Sequence, residues 1–302
     1  MLSEQIKSQI IKLLNSGGIR AALADIRQIH DNGAVTAYKL TTNQGQFFVK
    51  VADKRSAKML AGEVYGLEKL AGTQCVSTPA VIGYQECSDE QPAILITSWV
   101  EGTSGGTETG QKRLGEELAA LHDASAEIYH VSQFGLDQDN YIGNNPQYNS
   151  WMPFWPDFFI KQRLLPQIKM GVSGKLIDFE FEQKLYRLCD VIRDQLTILH
   201  HTPSLLHGDL WGGNVLYDER EQPILIDPAI YFGVPEADLA FTELFGGFSR
   251  PFYDAYHSIL PISPGYEERK QFYNLYHMLN HMNLFGGMFY GQIKSLCLRY
   301  VG

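Results

Sequence analysis

The sequence predicts an α+β chain of two lobes, a small β-rich N-terminal lobe over residues 1–99 and a larger, mainly helical C-terminal lobe over 100–302. Three observations predict it. Apolar residues alternate in three runs of the first third, "AVTAYKLTT", "QFFVKV" and "AILITSWV", each bounded by Gly, Asn, Asp or Pro. A glycine-rich stretch, "EGTSGGTETG", follows and reads as a hinge or linker. Beyond it the apolar spacing becomes that of helices.

The elements follow in order. Ile6, Ile10, Leu13 and Leu14 recur at helical spacing with Lys and Glu between them, so the N-terminus reads as a structural helix and not as a signal segment. In "QFFVKV", period two puts Lys50 on one face with Phe48, and Phe47, Val49 and Val51 on the other. Leu60, Val64, Leu67 and Ala71 stripe a helix over "SAKMLAGEVYGLEKLA". After the glycine-rich stretch, helices are expected at "QKRLGEELAALH", with Leu114, Leu118 and Leu121 on one side, then at "PDFFIKQRLLPQI", "FEFEQKLYRLCDVIRDQL" and "RKQFYNLYHMLNHMNLF". One strand pair interrupts them: "NVLYD" and "PILID", parted by the polar "EREQ", form a short hairpin.

With 302 residues, 44% apolar and 20% charged, the chain can bury sizeable cores, and no window reaches the run of about 18 apolar residues that a membrane span needs. The net charge of −9 argues against a nucleic-acid partner, which asks for a basic face. The cysteines Cys75, Cys87, Cys189 and Cys297 are scattered without a C-x-x-C pair, which fits a reducing cytoplasm and neither a disulfide framework nor zinc. His200, His201 and His207 lack a Cys or Glu at zinc-ligand spacing.

The hairpin carries the chemistry. If its turn centres between Arg220 and Glu221, Asn214 faces Asp227 across the ladder, with Cα atoms roughly 4.5–5.5 Å apart. An amide oxygen and a carboxylate there are hard ligands suited to Mg²⁺. Asp209, five residues before Asn214, can lie beside that ion as a general base for phosphoryl transfer, with His207 and Gly208 shaping its loop. Each of these residues alone is more simply a turn former. Together, H-x-D-x-x-x-x-N, a hairpin and "IDP" repeat the order of a kinase catalytic loop and its metal-binding Asp.

Such a site needs a lysine on the nucleotide phosphates and a carboxylate to hold it. Lys50 is the apolar-strand lysine, and Glu63 sits among Met59, Leu60, Leu67 and Leu70 on its helix, where a carboxylate requires a partner. A Lys50–Glu63 pair is therefore expected, with Glu68 as the lesser alternative. The turn covering the nucleotide should fall in "IRQIHDNGAVTAYKL" with Gly33 as its glycine, and the adenine edge should meet the backbone at Thr97, Ser98 and Trp99. Trp211, two residues after the base, is either a core anchor or a flat face for a sugar or its amine.

"LLHGDLWGGNVLYD", "ILIDPAIYFGVPEADLAFTELFGGF", "FGLDQDNYIGNNPQYNSWMPFWPDFFIKQRLLPQI" and "YNLYHMLNHMNLFGG" together resemble the fructosamine kinase (ketosamine kinase) family, relatives of the aminoglycoside and choline phosphotransferases. The resemblance spans nearly the whole chain. "HGDLW", "NxIGxxPQxN" and "DPAxYxG" are its more specific parts. It implies a protein-kinase-like fold and an ATP- and Mg²⁺-dependent kinase that phosphorylates the 3-hydroxyl of a ketosamine, free or protein-bound, and so promotes deglycation. It implies Asp209 as the base, Asn214 and Asp227 as metal ligands, Lys50 as the phosphate contact, and Asp238 as the acid that braces the catalytic loop. His207, beside the base, joins Trp211 as a candidate substrate contact. The family's usual paired glycines in the covering turn are replaced here by "HDNGAVTAY", with Gly33 alone. The loop cysteine that links two chains in some members is absent, so a monomer is the simpler expectation. Competing readings are an aminoglycoside- or choline-type kinase of the same fold and a non-catalytic nucleotide-binding module; "DPAIYFG" and "PQYNSW" favour the ketosamine, and the complete residue set favours catalysis.

Overall fold

The computed structural model describes residues 2–31, 33–199 and 202–302. Helix α1 (Glu4–Ser16) precedes strands β1 (Leu23–Asp31), β2 (Val35–Thr42) and β3 (Gly45–Ala52), then helix α2 (Ala57–Gly72) and strands β4 (Val81–Gln85) and β5 (Ala93–Ser98). The strands form one antiparallel sheet in the order β1-β2-β3-β5-β4. Helices pack on both of its faces. Ile10 and Leu14 of α1 meet Leu40, Val49 and Ile96, while Leu60 of α2 meets Val35, Ala52 and Leu95. Interior strand β5, covered on both faces, is buried along nearly its whole length, which is why it reads as a continuous apolar run.

The helical part begins with α3 (Glu108–Ile128), followed by the hairpin β6 (Asn140–Ile142) and β7 (Asn145–Gln147). Helix α4 (Trp155–Phe158), a π-helical turn over Phe159–Leu164 and α5 (Leu165–Ser173) run on without a break, and a five-residue turn leads to α6 (Phe179–Thr197). Then come β8 (Ser204–Leu206), β9 (Val215–Tyr217), β10 (Pro223–Leu225) and β11 (Tyr231–Gly233), and the helices α7 (Pro235–Phe245), α8 (Arg250–Ile259), α9 (Tyr266–Phe285) and α10 (Tyr290–Val301). Strands β9 and β10 pair, as do β8 and β11. One core gathers α4 to α7, α9 and α10 around Trp155, Phe159 and Tyr273; a second joins α3 and α8 to the short strands through Leu118, Leu205 and Phe252. Antiparallel sheet and helical C-terminal region together match the predicted fold class.

The glycine-rich segment is no free spacer. Thr103 exchanges backbone hydrogen bonds with Tyr217 of β9, at 3.0 and 2.9 Å, and a Cβ on Gly102 would stand 2.8 Å from the Tyr217 carbonyl oxygen. Its glycines let the chain lie flat against β9.

Candidate active site

Strand β8 delivers the loop that carries Asp209, and a buried carboxylate holds that loop from below. Asp238, in the first turn of α7, accepts the backbone N–H groups of His207 at 2.7 Å and Gly208 at 2.9 Å. Its Oδ2 also lies 3.3 Å from His122 Nε2, and His122 Nδ1 meets the Tyr256 hydroxyl at 2.8 Å. Burial alone would raise the Asp238 carboxyl, but the His122 hydrogen bond, together with the Gly208 amide, outweighs it and holds it below its ordinary value. Gly208 has φ +79°, and a Cβ there would stand 2.0 Å from the Ala229 carbonyl oxygen, so only glycine fits.

His207 does not reach the cleft, contrary to the expectation that it touches substrate. Its ring is buried; Nδ1 accepts the Asp209 N–H at 3.3 Å and Nε2 donates to the Ile226 carbonyl at 3.0 Å. Burial lowers its pKa, so a neutral ring ties the loop to the hairpin. His200 and His201 lie outside the described residues.

Asn214 turns its amide nitrogen onto Asp209, at 2.8 Å from the carbonyl oxygen and 3.1 Å from Oδ2. Burial, with Asp227 and Asp238 nearby, raises the Asp209 carboxyl to about 7 against the opposing Asn214 hydrogen bond. The hairpin register differs from the expected one by a residue. Leu225 faces Val215, and the Ile226 N–H reaches the Asn214 carbonyl at 3.0 Å, so Asn214 stands across from Ile226 and not Asp227. The cause is the turn: the Asp218 carboxylate accepts the Arg220 and Gln222 amides, both at 2.8 Å, and Glu221 is left-handed at φ +57°. Asp227 itself has φ +52°.

The sheet and the hairpin meet at Lys50. Its Nζ lies 2.9 and 2.8 Å from the two Glu63 oxygens and 2.6 Å from Asp227 Oδ1. The expected Lys50–Glu63 pair is thus present, and Glu68 is exposed. Burial would lower the Lys50 ammonium, but the Glu63 and Asp227 carboxylates outweigh it and keep it charged. Two acids share one ammonium. Asp227 is held low by Lys50 in spite of burial, and Glu63 is pushed up by burial and by Asp227.

Lys50, Glu63, Asp209, Trp211, Asn214 and Asp227 all line one cleft of about 490 Å³. Ile29 and Val35, on either side of the β1–β2 turn, line it too; Gly33 sits in that turn at φ +78°, exposed and outside the lining. A second, more apolar cavity of about 140 Å³ adjoins it through Phe48, Glu63 and Asp227, and there Thr97, Ser98 and Trp99 are joined by Leu67, Val100, Leu216 and Ile226. Trp211 is 42% exposed, which rules out a core anchor; its ring lies over Gly213, where a Cβ would stand 2.2 Å away, and edge-on to Phe245 at 6.3 Å. Sequence reasoning missed the wall formed by Tyr141, Gly143 and Asn144. Its signal was the cluster of amide side chains in "NYIGNNPQYN", which is unusually rich for a surface loop.

Asn214 and Asp227 are the residues that could hold a metal. Among the described residues no group of three or more His, Cys, Asp or Glu could do so. One carboxylate and one amide oxygen fit Mg²⁺, which keeps water and substrate phosphate as its other ligands.

The family model for fructosamine kinase matches residues 5–301. A probable ketoamine kinase of Synechocystis is 39% identical over 267 residues, covering 87% of this chain and 86% of that protein. The mouse ketosamine-3-kinase is 38% identical, covering 84% and 88%. Among solved structures, a candidate fructosamine-3-kinase from Thermobifida fusca superposes with a TM-score of 0.86 at 27% identity, covering 99% of each chain. An aminoglycoside phosphotransferase in a ternary complex with AMP-PNP and hygromycin B shares the fold, with a TM-score of 0.68 at 17% identity and 99% of each chain covered.

Proposed function

The chain belongs to the fructosamine kinase family, and from that premise we propose that it transfers the γ-phosphoryl group of ATP to the 3-hydroxyl of a ketosamine of the fructosamine or ribulosamine type. The observation that carries this reading is the convergence of Lys50, Glu63, Asp209, Asn214 and Asp227 on a single cleft with an apolar annex. Asp209 accepts the proton of the attacking hydroxyl as the new O–P bond forms and ADP departs. Burial, with Asp227 and Asp238 nearby, raises the carboxyl's affinity for that proton. Lys50, steered by Glu63, contacts the nucleotide phosphates. Asn214 and Asp227 hold Mg²⁺, which supplies charge neutralisation on those phosphates. Asp238 fixes the loop on which Asp209 rides, and the β1–β2 turn at Gly33 covers the nucleotide.

The adenine lies in the annex. Ser98 and Trp99 spend their amides on the Ala80 and Gln46 carbonyls, at 2.9 and 3.3 Å, so the purine would use carbonyls of this segment and the next amide, Val100. Trp211 offers its face to the sugar or to the adjoining ammonium. Four free cysteines suit an ATP-containing, reducing compartment such as the cytoplasm, and among the described residues no helix is long and apolar enough to cross a membrane.

The test is a Mg-ATP turnover assay on fructose-lysine and ribulose-lysine peptides, with an aminoglycoside and choline as competing acceptors and Asp209→Asn as control. Phosphorylation of the ketosamines alone, lost in the variant, supports the reading; equal inactivity of both proteins on every ketosamine refutes it.

A further inference from the structure

The buried amides behind the cleft are arranged in a chain with one direction. Arg163 Nη2 donates to Asn149 Oδ1 at 2.6 Å, Asn149 Nδ2 donates to Asn140 Oδ1 at 2.9 Å, and Asn140 Nδ2 donates to the Ile230 carbonyl at 2.8 Å. A branch runs from the Tyr276 hydroxyl to Gln147 Oε1 at 2.7 Å, and from Gln147 Nε2 to the Ala229 carbonyl at 2.9 Å and to Asn140 Oδ1 at 2.8 Å. All five side chains are at most 3% exposed. Arg163 has no carboxylate partner among the described residues; its guanidinium lies over the Tyr231 ring at 3.9 Å. A buried cation at the head of a donor-to-acceptor chain polarises each bond after it, so the charge is felt at the far end.

That far end is the backbone two and three residues beyond Asp227. The Ala229 N–H is already bound to the His207 carbonyl at 2.9 Å, and the amides grip the Ala229 and Ile230 carbonyls from the other side. Pro228 is seated on Gly66 of α2, where a Cβ would come within 2.9 Å of its ring, and Gly62 leaves room for Asn140 in the same way at 3.2 Å. The helix bearing Glu63 is therefore packed directly on the gripped segment. Asp227 holds a left-handed φ of +52°, an uncommon conformation for a residue with a side chain, though one that Asp tolerates better than most.

We propose that Asn140, Gln147, Asn149 and Arg163 are positioning residues for Asp227, a charge-polarised amide strut that fixes the Ala229 and Ile230 carbonyls, two and three residues beyond it, and so aims its carboxylate at the metal and at Lys50. This rests on the reading of Asp227 as a metal ligand. It gives the "NxIGxxPQxN" segment a function: its first Asn, its Gln and its last Asn are Asn140, Gln147 and Asn149, and the turn between the strands lines the cleft.

Gln147→Met keeps the length of the side chain and removes its donors. It is expected to raise the Mg²⁺ concentration for half-maximal rate about tenfold. The KM for ketosamine should stay within about twofold. Mn²⁺ titrated in the presence of ADP and followed by electron paramagnetic resonance should bind correspondingly more weakly, which an effect on global stability alone does not produce. Tyr276→Phe, which deletes one hydroxyl, carries the same test if Gln147→Met does not fold, with a shift of about threefold expected. Asp227→Asn separates the two claims. If it binds Mn²⁺ as the wild type does, the reading of Asp227 as a ligand fails whatever the strut does. If it loses the ion while Gln147→Met or Tyr276→Phe keeps the wild-type constants, the amides are only scaffolding and the proposal is overturned.

Discussion

Replacing Asp238 by Ala should cost more than any other single change on the cleft's supporting layer, because the carboxylate is 2% exposed and serves three donors at once. Ala leaves the His207 and Gly208 amides buried without an acceptor, each worth about 1–3 kcal/mol, and strips His122 of its partner. Breaking such a buried pair falls at about 3–5 kcal/mol, which becomes a fall of about 6–10 °C in Tm at roughly 2 °C per kcal/mol for a chain of this length. Asp238→Asn keeps one acceptor and should lose about half as much. Because the loop carries Asp209, a displacement near 1 Å should also reduce kcat about 100-fold, with the KM for ATP little changed. Since the Asp238 carboxyl is held low in the folded state, its contribution is complete above the unfolded value near 4 and is lost as pH falls through the folded one. Urea unfolding of wild type and both variants from pH 8 to pH 3, with steady-state kinetics at pH 7, measures all of this. A loss below about 1 kcal/mol, or a gap between wild type and Asp238→Ala that does not narrow towards acid, would refute the reasoning.

Trp211→Leu should raise the KM for ketosamine at least about tenfold and leave that for ATP unchanged, since the ring lines the cleft outside the annex. Glu63→Gln should raise the KM for ATP about tenfold or more through a misdirected Lys50, measured by ATP titration at saturating ketosamine. Gly66→Ala should destabilise by about 1–3 kcal/mol, because its Cβ would press on the Pro228 ring at 2.9 Å. Burial, with His281 beside it, lowers His277 to about 3, and its ring is stacked on Phe241 at 3.6 Å. The unfolded chain takes up that proton below about 6.5 and the folded chain does not, so His277 should contribute a fall in stability from pH 7 to pH 5 of up to about 1.4 kcal/mol per unit, and His277→Phe should reduce the slope by that amount.

What was legible in the sequence was what burial or local order dictates. Glu63 could be paired with Lys50 across thirteen residues because a carboxylate inside an apolar helical stripe has few other ways to be satisfied. The spacing of Asp209, Asn214 and Asp227 could be read because all three ride on one loop and one hairpin. The amide strut could not: Asn140 and Gln147 lie 90 and 82 residues upstream of the carbonyls they bind, and buried Asn and Gln carry no periodic signal that separates them from loop residues.

The hairpin register shows why a local error left the site readable. A one-residue slip in a strand sends each side chain to the opposite face, and the turn built by Asp218 and Glu221 imposes that slip, so an extended Asp227 would point away from Asn214. The left-handed φ at Asp227 turns the chain once more and brings its carboxylate to 2.6 Å from Lys50. Two departures from regular strand geometry therefore offset each other. The second needs a restraint that the hairpin itself does not contain: Pro228 seated on Gly66 and carbonyls clamped at Ala229 and Ile230. The position of the carboxylate is thus decided by groups remote in sequence, even though its identity is written in the motif.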